Sequence, residues 1–275
     1  MENQSHRQLF VTNRSGLKIA FDDRGTGEPA LLLLPGWCAP RWVFTDLMAL
    51  CAKHQRVLLL DWRGHGESET PSEDFGVPEL ADDAQAVIEA SGAKSVVPVG
   101  SAHSGWVAIE LRRRLGSRIQ GIVALEWLIL GLPPQLSGAL EGMQSPERWR
   151  QVVDGMHERW LNGAQNPSLE RFLRLGIATG FPMWSRAGRE ITEAYRREPV
   201  PFEVWHRLGI PVLHLYSQAP DDSYAATIQQ LEKDHPWFSA QRLSSRTQFS
   251  MFEVPAEIDS AIAQFVPRTA SPMPP

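Results

Sequence analysis

Nucleophilic catalysis needs an oxygen or sulfur held beside a base, and Gly100-Ser101-Ala102-His103-Ser104-Gly105 is the first stretch to test for one. It follows the apolar run 95–99 and precedes a helical pattern, so it reads as strand, sharp elbow, helix. Such an elbow tolerates only small residues two before and two after the side chain that it lifts. Gly100 and Ser104 flank Ala102, which puts a methyl group in the nucleophile position. Ser101 would need Val99 and His103 as its flanks, and these do not fit. The base of an acyl-transfer relay would lie on the loop after the last strand, but Ser244-Ser-Arg-Thr-Gln-Phe-Ser250 has Gln248 and no histidine. An acid could come from Glu126, after Leu125, or from Asp221 and Asp222, after Tyr216. With neither serine nor histidine, no Ser-His-Asp relay can be assembled, and ordinary ester or amide hydrolysis is disfavoured. Glu126 and His103 remain as groups able to accept a proton.

Several other reactive side chains have plainer readings. Cys38 is expected to be a small buried thiol, His65 a structural residue of its turn, and Arg112-Arg113-Arg114 a solvated helix face. Glu126 could itself be only the partner of an arginine such as Arg246.

The elements that must hold these residues alternate. Apolar runs at 17–21, 30–34, 56–61, 95–100 and 119–125 read as strands, several of them buried on both faces, and the spacing of Leu80, Ala84, Val87 and Ile88 predicts a helix over 78–90. The alternation stops at about residue 130. The following stretch is rich in Trp, Arg, Met and Pro, and Trp149, Val152, Val153, Met156 and Trp160 recur at helical spacing. Strand signals return at 211–216 and 237–243, with helices over 223–233 and 255–265. An open, mostly parallel α/β sheet is expected from 1–130 and 209–266, with a helical cap over 131–208 and a disordered tail over 267–275.

Composition narrows the tasks. The 27 Lys and Arg against 32 Asp and Glu leave a net charge of -5, so there is no excess of cations for gripping a nucleic-acid backbone. Two cysteines cannot make a disulfide framework, and the first residues lack the basic-then-apolar order of a secretory signal, so a cytoplasmic protein is expected. No apolar run reaches the roughly 18 residues of a membrane helix. No histidine–acid spacing suggests a metal site, and no phosphate-cradling glycine motif is present. There are ten tryptophans, and at least one of Trp149, Trp160 and Trp184 is expected to wall a pocket for a flat aromatic ligand.

Pro35-Gly36-Trp37, Asp61-Trp-Arg-Gly-His-Gly66 and the elbow, in that order, resemble the α/β-hydrolase fold. A narrower likeness is carried by Leu33-Leu-Pro-Gly-Trp-Cys38, Glu126-Trp-Leu128, His235-Pro-Trp-Phe-Ser239, Thr247-Gln-Phe249 and Val254-Pro255. These resemble the cofactor-independent 3-hydroxy-4-quinolone 2,4-dioxygenases along about residues 16 to 265. The resemblance implies O2-dependent cleavage of an N-heteroaromatic ring with release of carbon monoxide, using neither metal nor flavin. It implies an oxyanion-hole backbone at Trp37 and pocket roles for His103 and Trp160. The family's serine, aspartate and histidine base correspond to Ala102, Glu126 and Gln248, and Ala39 and Ser101 stand at or beside usual histidine positions. Two function classes follow: a dioxygenase that uses Glu126 or His103 as its base, or a catalytically silent protein that binds a flat aromatic ligand.

Overall fold

The computed structural model describes residues 9–219 and 221–269. In chain order the elements are β1 (Leu9–Thr12), β2 (Lys18–Arg24), β3 (Ala30–Leu34), α1 (Thr45–Cys51), β4 (Val57–Leu60), α2 (Val77–Ser91), β5 (Val96–Ser101), α3 (Ser104–Leu115) and β6 (Ile122–Leu125). Five helices follow: α4 (Pro134–Met143), α5 (Trp149–Leu161), α6 (Pro167–Ala178), α7 (Gly180–Arg197) and α8 (Pro201–Leu208). The chain returns through β7 (Val212–Tyr216), α9 (Tyr224–Asp234), β8 (Phe238–Arg242), α10 (Ser250–Glu253) and α11 (Pro255–Thr269).

The strands form one sheet in the order β1-β2-β4-β3-β5-β6-β7-β8. From β4 to β8 every pairing is parallel, while β1 and β2 add an antiparallel edge. A parallel sheet needs cover on both faces, which explains the unbroken apolar strands. In β3, Leu32 and Leu34 join the core beneath α2 and α3, whereas Leu31 and Leu33 join the one beneath α1 and α11. Three short elements, β1, α1 and α10, were not apparent in the sequence pattern. The helix α11 also runs past Pro267 to Thr269, correcting the expectation of a tail that begins at 267. Near a helix end, a proline removes only one late hydrogen bond. The rest of that expected tail, 270–275, lies outside the described residues.

The turn 61–66 is fixed by a buried ion pair. Arg63 donates from Nη2 to Asp83 Oδ1 at 2.7 Å and from Nε to Oδ2 at 2.9 Å, and Asn13 Nδ2 donates to the same carboxylate at 2.6 Å. This holds His65, whose Nδ1–H donates to the Arg63 carbonyl at 3.0 Å, so Nε2 is free to accept the Cys38 N–H, also at 3.0 Å. His65 is thus a buried neutral strut, its pKa lowered by desolvation. The three arginines 112–114 are exposed or half-buried and tied down: Arg112 donates to the Gly116 and Ile119 carbonyls, Arg113 meets Glu198, and Arg114 meets Glu110 and Asp82.

Candidate active site

A cavity of about 600 Å³ lies at the carboxyl edge of the parallel strands, beneath α4 to α7. Open α/β sheets place ligands at this edge. The β5–α3 turn forms part of its floor. Its left-handed residue is Ala102, with φ +48°, so the methyl occupies the lifted position. The small neighbours are required by packing: a Cβ on Gly100 would lie 2.8 Å from the Gly105 nitrogen, and one on Gly105 would lie 2.2 Å from the Trp127 ring. Ser101 ends β5, nearly buried, and lines the cavity without taking the elbow position.

Among the described residues, the backbone N–H groups of Trp37 and His103 donate to no protein acceptor. They flank the elbow, as an oxyanion hole requires. Trp37 is stacked on Phe75 at a centroid distance of 5.7 Å, and the next residue, Cys38, is held at φ +60°. Burial pushes the Cys38 thiol up to about 12, which suits a packing role and not a nucleophile. The His103 ring meets Tyr195 edge-on at 6.3 Å, and its buried Nδ1 has no hydrogen-bond partner. Desolvation lowers this imidazole to about 4, so it is neutral at pH 7.

Glu126 follows β6 in a left-handed conformation, φ +52°. Its Oε2 accepts the Ser217 N–H at 3.0 Å, while Oε1 is buried with no partner. No arginine, Arg246 included, makes an ion pair with it among the described residues, which removes the plainer reading of this side chain. Burial raises its pKa to about 7, with the Glu253 charge adding to the rise, although the Ser217 N–H and the nearby Ser250 and Ser217 hydroxyls pull the other way. Asp221 and Asp222, the other candidate acids, both lie on the surface, and Asp221 accepts hydrogen bonds from Ser223 N and Oγ.

Gln248 lines the cavity from the β8–α10 loop. Glu253 fixes that loop, since one carboxylate oxygen accepts the Arg246 and Thr247 N–H groups, each at 2.9 Å, and the hydroxyls of Thr247 and Ser245. From the cap side, Trp160 and Trp184 both line the cavity. Trp160 meets Phe249 edge-on at 5.6 Å, and Trp184 Nε1 donates to the Gly176 carbonyl at 2.9 Å. Trp149 does not line it and packs on Phe181. Among the further polar contributors that escaped sequence reasoning are His157, Tyr224 and Gln218. His157 shares a helix face with Val153 and Trp160, which is the signal that could have found it. The run 235–239 is remote from the chemistry, with His235 packed among Phe202, His206 and Trp237. Among the described residues no group of three or more His, Cys, Asp or Glu is gathered to hold a metal ion.

The α/β-hydrolase fold family model matches residues 29–189. A 2-heptyl-3-hydroxy-4(1H)-quinolone dioxygenase of Mycobacteroides abscessus is 34% identical over 89% of this chain and 93% of its own length. The chain belongs to the 3-hydroxy-4-quinolone 2,4-dioxygenase family. A second member, the 2-heptyl-3-hydroxy-4-quinolone dioxygenase AqdC2 of Rhodococcus erythropolis, is 35% identical over 92% of this chain and 96% of its own. The solved structure of an AqdC variant in complex with its substrate, from work on recognition and ring cleavage of the Pseudomonas quinolone signal, superposes with a TM-score of 0.89 at 32% identity. It covers 95% of this chain and 100% of the other. Within this family's fold, the present chain combines a methyl at the elbow, an amide at 248 and an unpaired glutamate at 126 around one cavity.

Proposed function

We propose that this protein cleaves the ring of a 2-alkyl-3-hydroxy-4-quinolone with O2, using Glu126 as the base. The observation that carries the proposal is the Glu126 carboxyl itself, which is buried, unpaired on Oε1, raised to about 7 and facing an apolar cavity. A base of that pKa can take the 3-hydroxyl proton near neutrality, whereas an imidazole at about 4 is a poor acceptor there. The resulting anion is electron-rich enough to react with O2. Its negative oxygen would be met by the free N–H groups of Trp37 and His103. In a 2,4-cleavage, one oxygen of O2 ends on C2 and the other on C4. The C2–C3 and C3–C4 bonds break, and C3 leaves with its own oxygen as CO. The product is an N-acylated anthranilate, and the proton held by Glu126 returns to solvent as the site resets.

Leu136, Leu140, Met143, Met156 and Ile191 extend the cavity in apolar side chains, room suited to a 2-alkyl substituent. The relatives named for a 2-heptyl quinolone support that choice. No described helix is long and apolar enough to cross a membrane, and both cysteines are free and buried, which supports the reducing cytoplasm as its place of action.

The test is incubation with a 2-heptyl-3-hydroxy-4-quinolone under O2, following ring absorbance and carbon monoxide. Stoichiometric CO is expected. Ligand binding without CO would make this a silent binding protein, the reading that Ala102 and Gln248 favour. Two further outcomes are expected. Lacking an oxygen nucleophile at 102, the protein should hydrolyse p-nitrophenyl esters no faster than generic surface catalysis, and labelling of Ser101 by a fluorophosphonate would contradict this. Trp160→Ala should weaken binding of the planar ligand by roughly 1 to 3 kcal/mol, the scale of a buried aromatic contact, as read by fluorescence quenching.

A further inference from the structure

Resting on the ring-cleavage reading, we infer that His157, on the cap helix α5, accepts a hydrogen bond from the ring N1–H of the bound quinolone and so selects a nitrogen heterocycle over its oxygen analogue. His157 is 6% exposed, yet it lines the cavity, and neither ring nitrogen makes a hydrogen bond among the described residues. The open cavity that it lines is where this imidazole can find a partner. Aromatic neighbours fix the ring from two sides: Trp160 at a centroid distance of 5.6 Å and Trp184 at 5.7 Å, the latter held by its own bond to Gly176. Desolvation lowers the imidazole to about 4, so one ring nitrogen keeps its lone pair at neutral pH.

The chemistry of the ligand supplies the complement. In a 3-hydroxy-4-quinolone the hydroxyl and oxo groups share one edge of the ring, and N1–H lies on the other side, para to C4. When the hydroxyl faces Glu126 at the sheet edge, N1–H is directed away from the floor, toward the cap. Sheet and cap then each contribute one acceptor, a carboxylate for the proton that leaves and an imidazole for the proton that stays. A ligand with ring oxygen in place of N1–H would leave the imidazole facing a lone pair, an unmatched buried contact.

The experiment is an anaerobic fluorescence titration, in which no turnover occurs, of a 2-alkyl-3-hydroxy-4-quinolone against the matching 2-alkyl-3-hydroxychromone. The wild type should bind the quinolone about 10- to 100-fold more tightly, the range expected for a lost buried hydrogen bond. In His157→Phe, which keeps a flat ring between Trp160 and Trp184, most of that preference should vanish. In His157→Gln, which keeps an acceptor, much of it should remain. Circular dichroism of both variants checks that the cap is intact. Equal binding of the two ligands by the wild type, or an unchanged preference in His157→Phe, overturns the role of His157 while leaving ring cleavage standing. A His157-dependent preference with no CO under O2 supports the contact and overturns the cleavage reading instead.

Discussion

Replacing Glu126 by glutamine will cut carbon monoxide release by about 10²- to 10⁴-fold, the usual contribution of a positioned general base, while the quinolone still binds. Glutamine keeps the shape and can still accept the Ser217 N–H, so only the capacity to take a proton is lost. In the wild type, kcat/KM should rise with pH through about 7, because the base works only as a carboxylate and burial has raised its pKa to that value. A pH profile that stays flat between 6 and 8 in the wild type, or full activity in the variant, would assign the proton to another acceptor. Stability should move the opposite way. The folded pKa of about 7 lies above the ordinary 4.5, so the folded state holds this proton more tightly than the unfolded chain does. That stabilisation is complete below about 4.5 and is lost as pH rises through 7. It amounts to roughly 3 kcal/mol, which Glu126→Gln should recover in part at pH 8 in a denaturant titration. Gln248→His, which puts an imidazole on the same cavity, should restore part of the rate lost in the glutamine variant.

Asp83→Ala is expected to cost about 3 to 5 kcal/mol of folding stability, more than any surface ion pair could account for. Arg63 is 3% exposed and would keep its charge with its carboxylate gone, and Asn13 would lose its acceptor as well. The damage should spread to the site, since Arg63 holds the turn whose His65 accepts the Cys38 N–H, one residue from the free N–H of Trp37. Equilibrium denaturation together with quinolone affinity at low temperature measures both effects. Unchanged affinity in the folded fraction would show that the turn does not orient Trp37. By contrast, Arg150→Ala should be nearly neutral, because its pair with Asp154 is mostly in solvent.

The elbow could be read from the sequence because its constraint is local: close packing of Gly100 and Gly105 demands small residues at fixed spacing, and that spacing singled out Ala102. Glu126 was legible as a position, since it ends a buried parallel strand at the ligand edge. Its lack of an ionic partner was not, because that depends on where Ser217 and Arg246 fall after some 90 to 120 further residues of chain have folded. The indole-rich cap pointed to a pocket wall, but helical spacing does not say which face turns inward. Thus Trp160 and Trp184 line the cavity while Trp149 packs on Phe181. His157 was hidden in the same way, one polar residue in an amphipathic stripe. The edge strand β1 is only four residues long and alternates between exposed and half-buried positions, too weak a pattern to stand out.

Cys38, Ala102 and Glu126 are three of the four non-glycine residues with left-handed backbone among the described residues, and each follows a neighbouring strand of the sheet, β3, β5 and β6. Such conformations cost on the order of 1 to 2 kcal/mol apiece, a sizeable fraction of the net stability of an ordinary domain. The rim of the cavity is therefore the zone where amide protons should exchange with solvent through the cheapest local openings, well before the strands behind it let go. A ligand seated there would slow that exchange first at residues 37–38, 102–103 and 126–127, so the loops that grip the substrate would also be the ones that report its arrival.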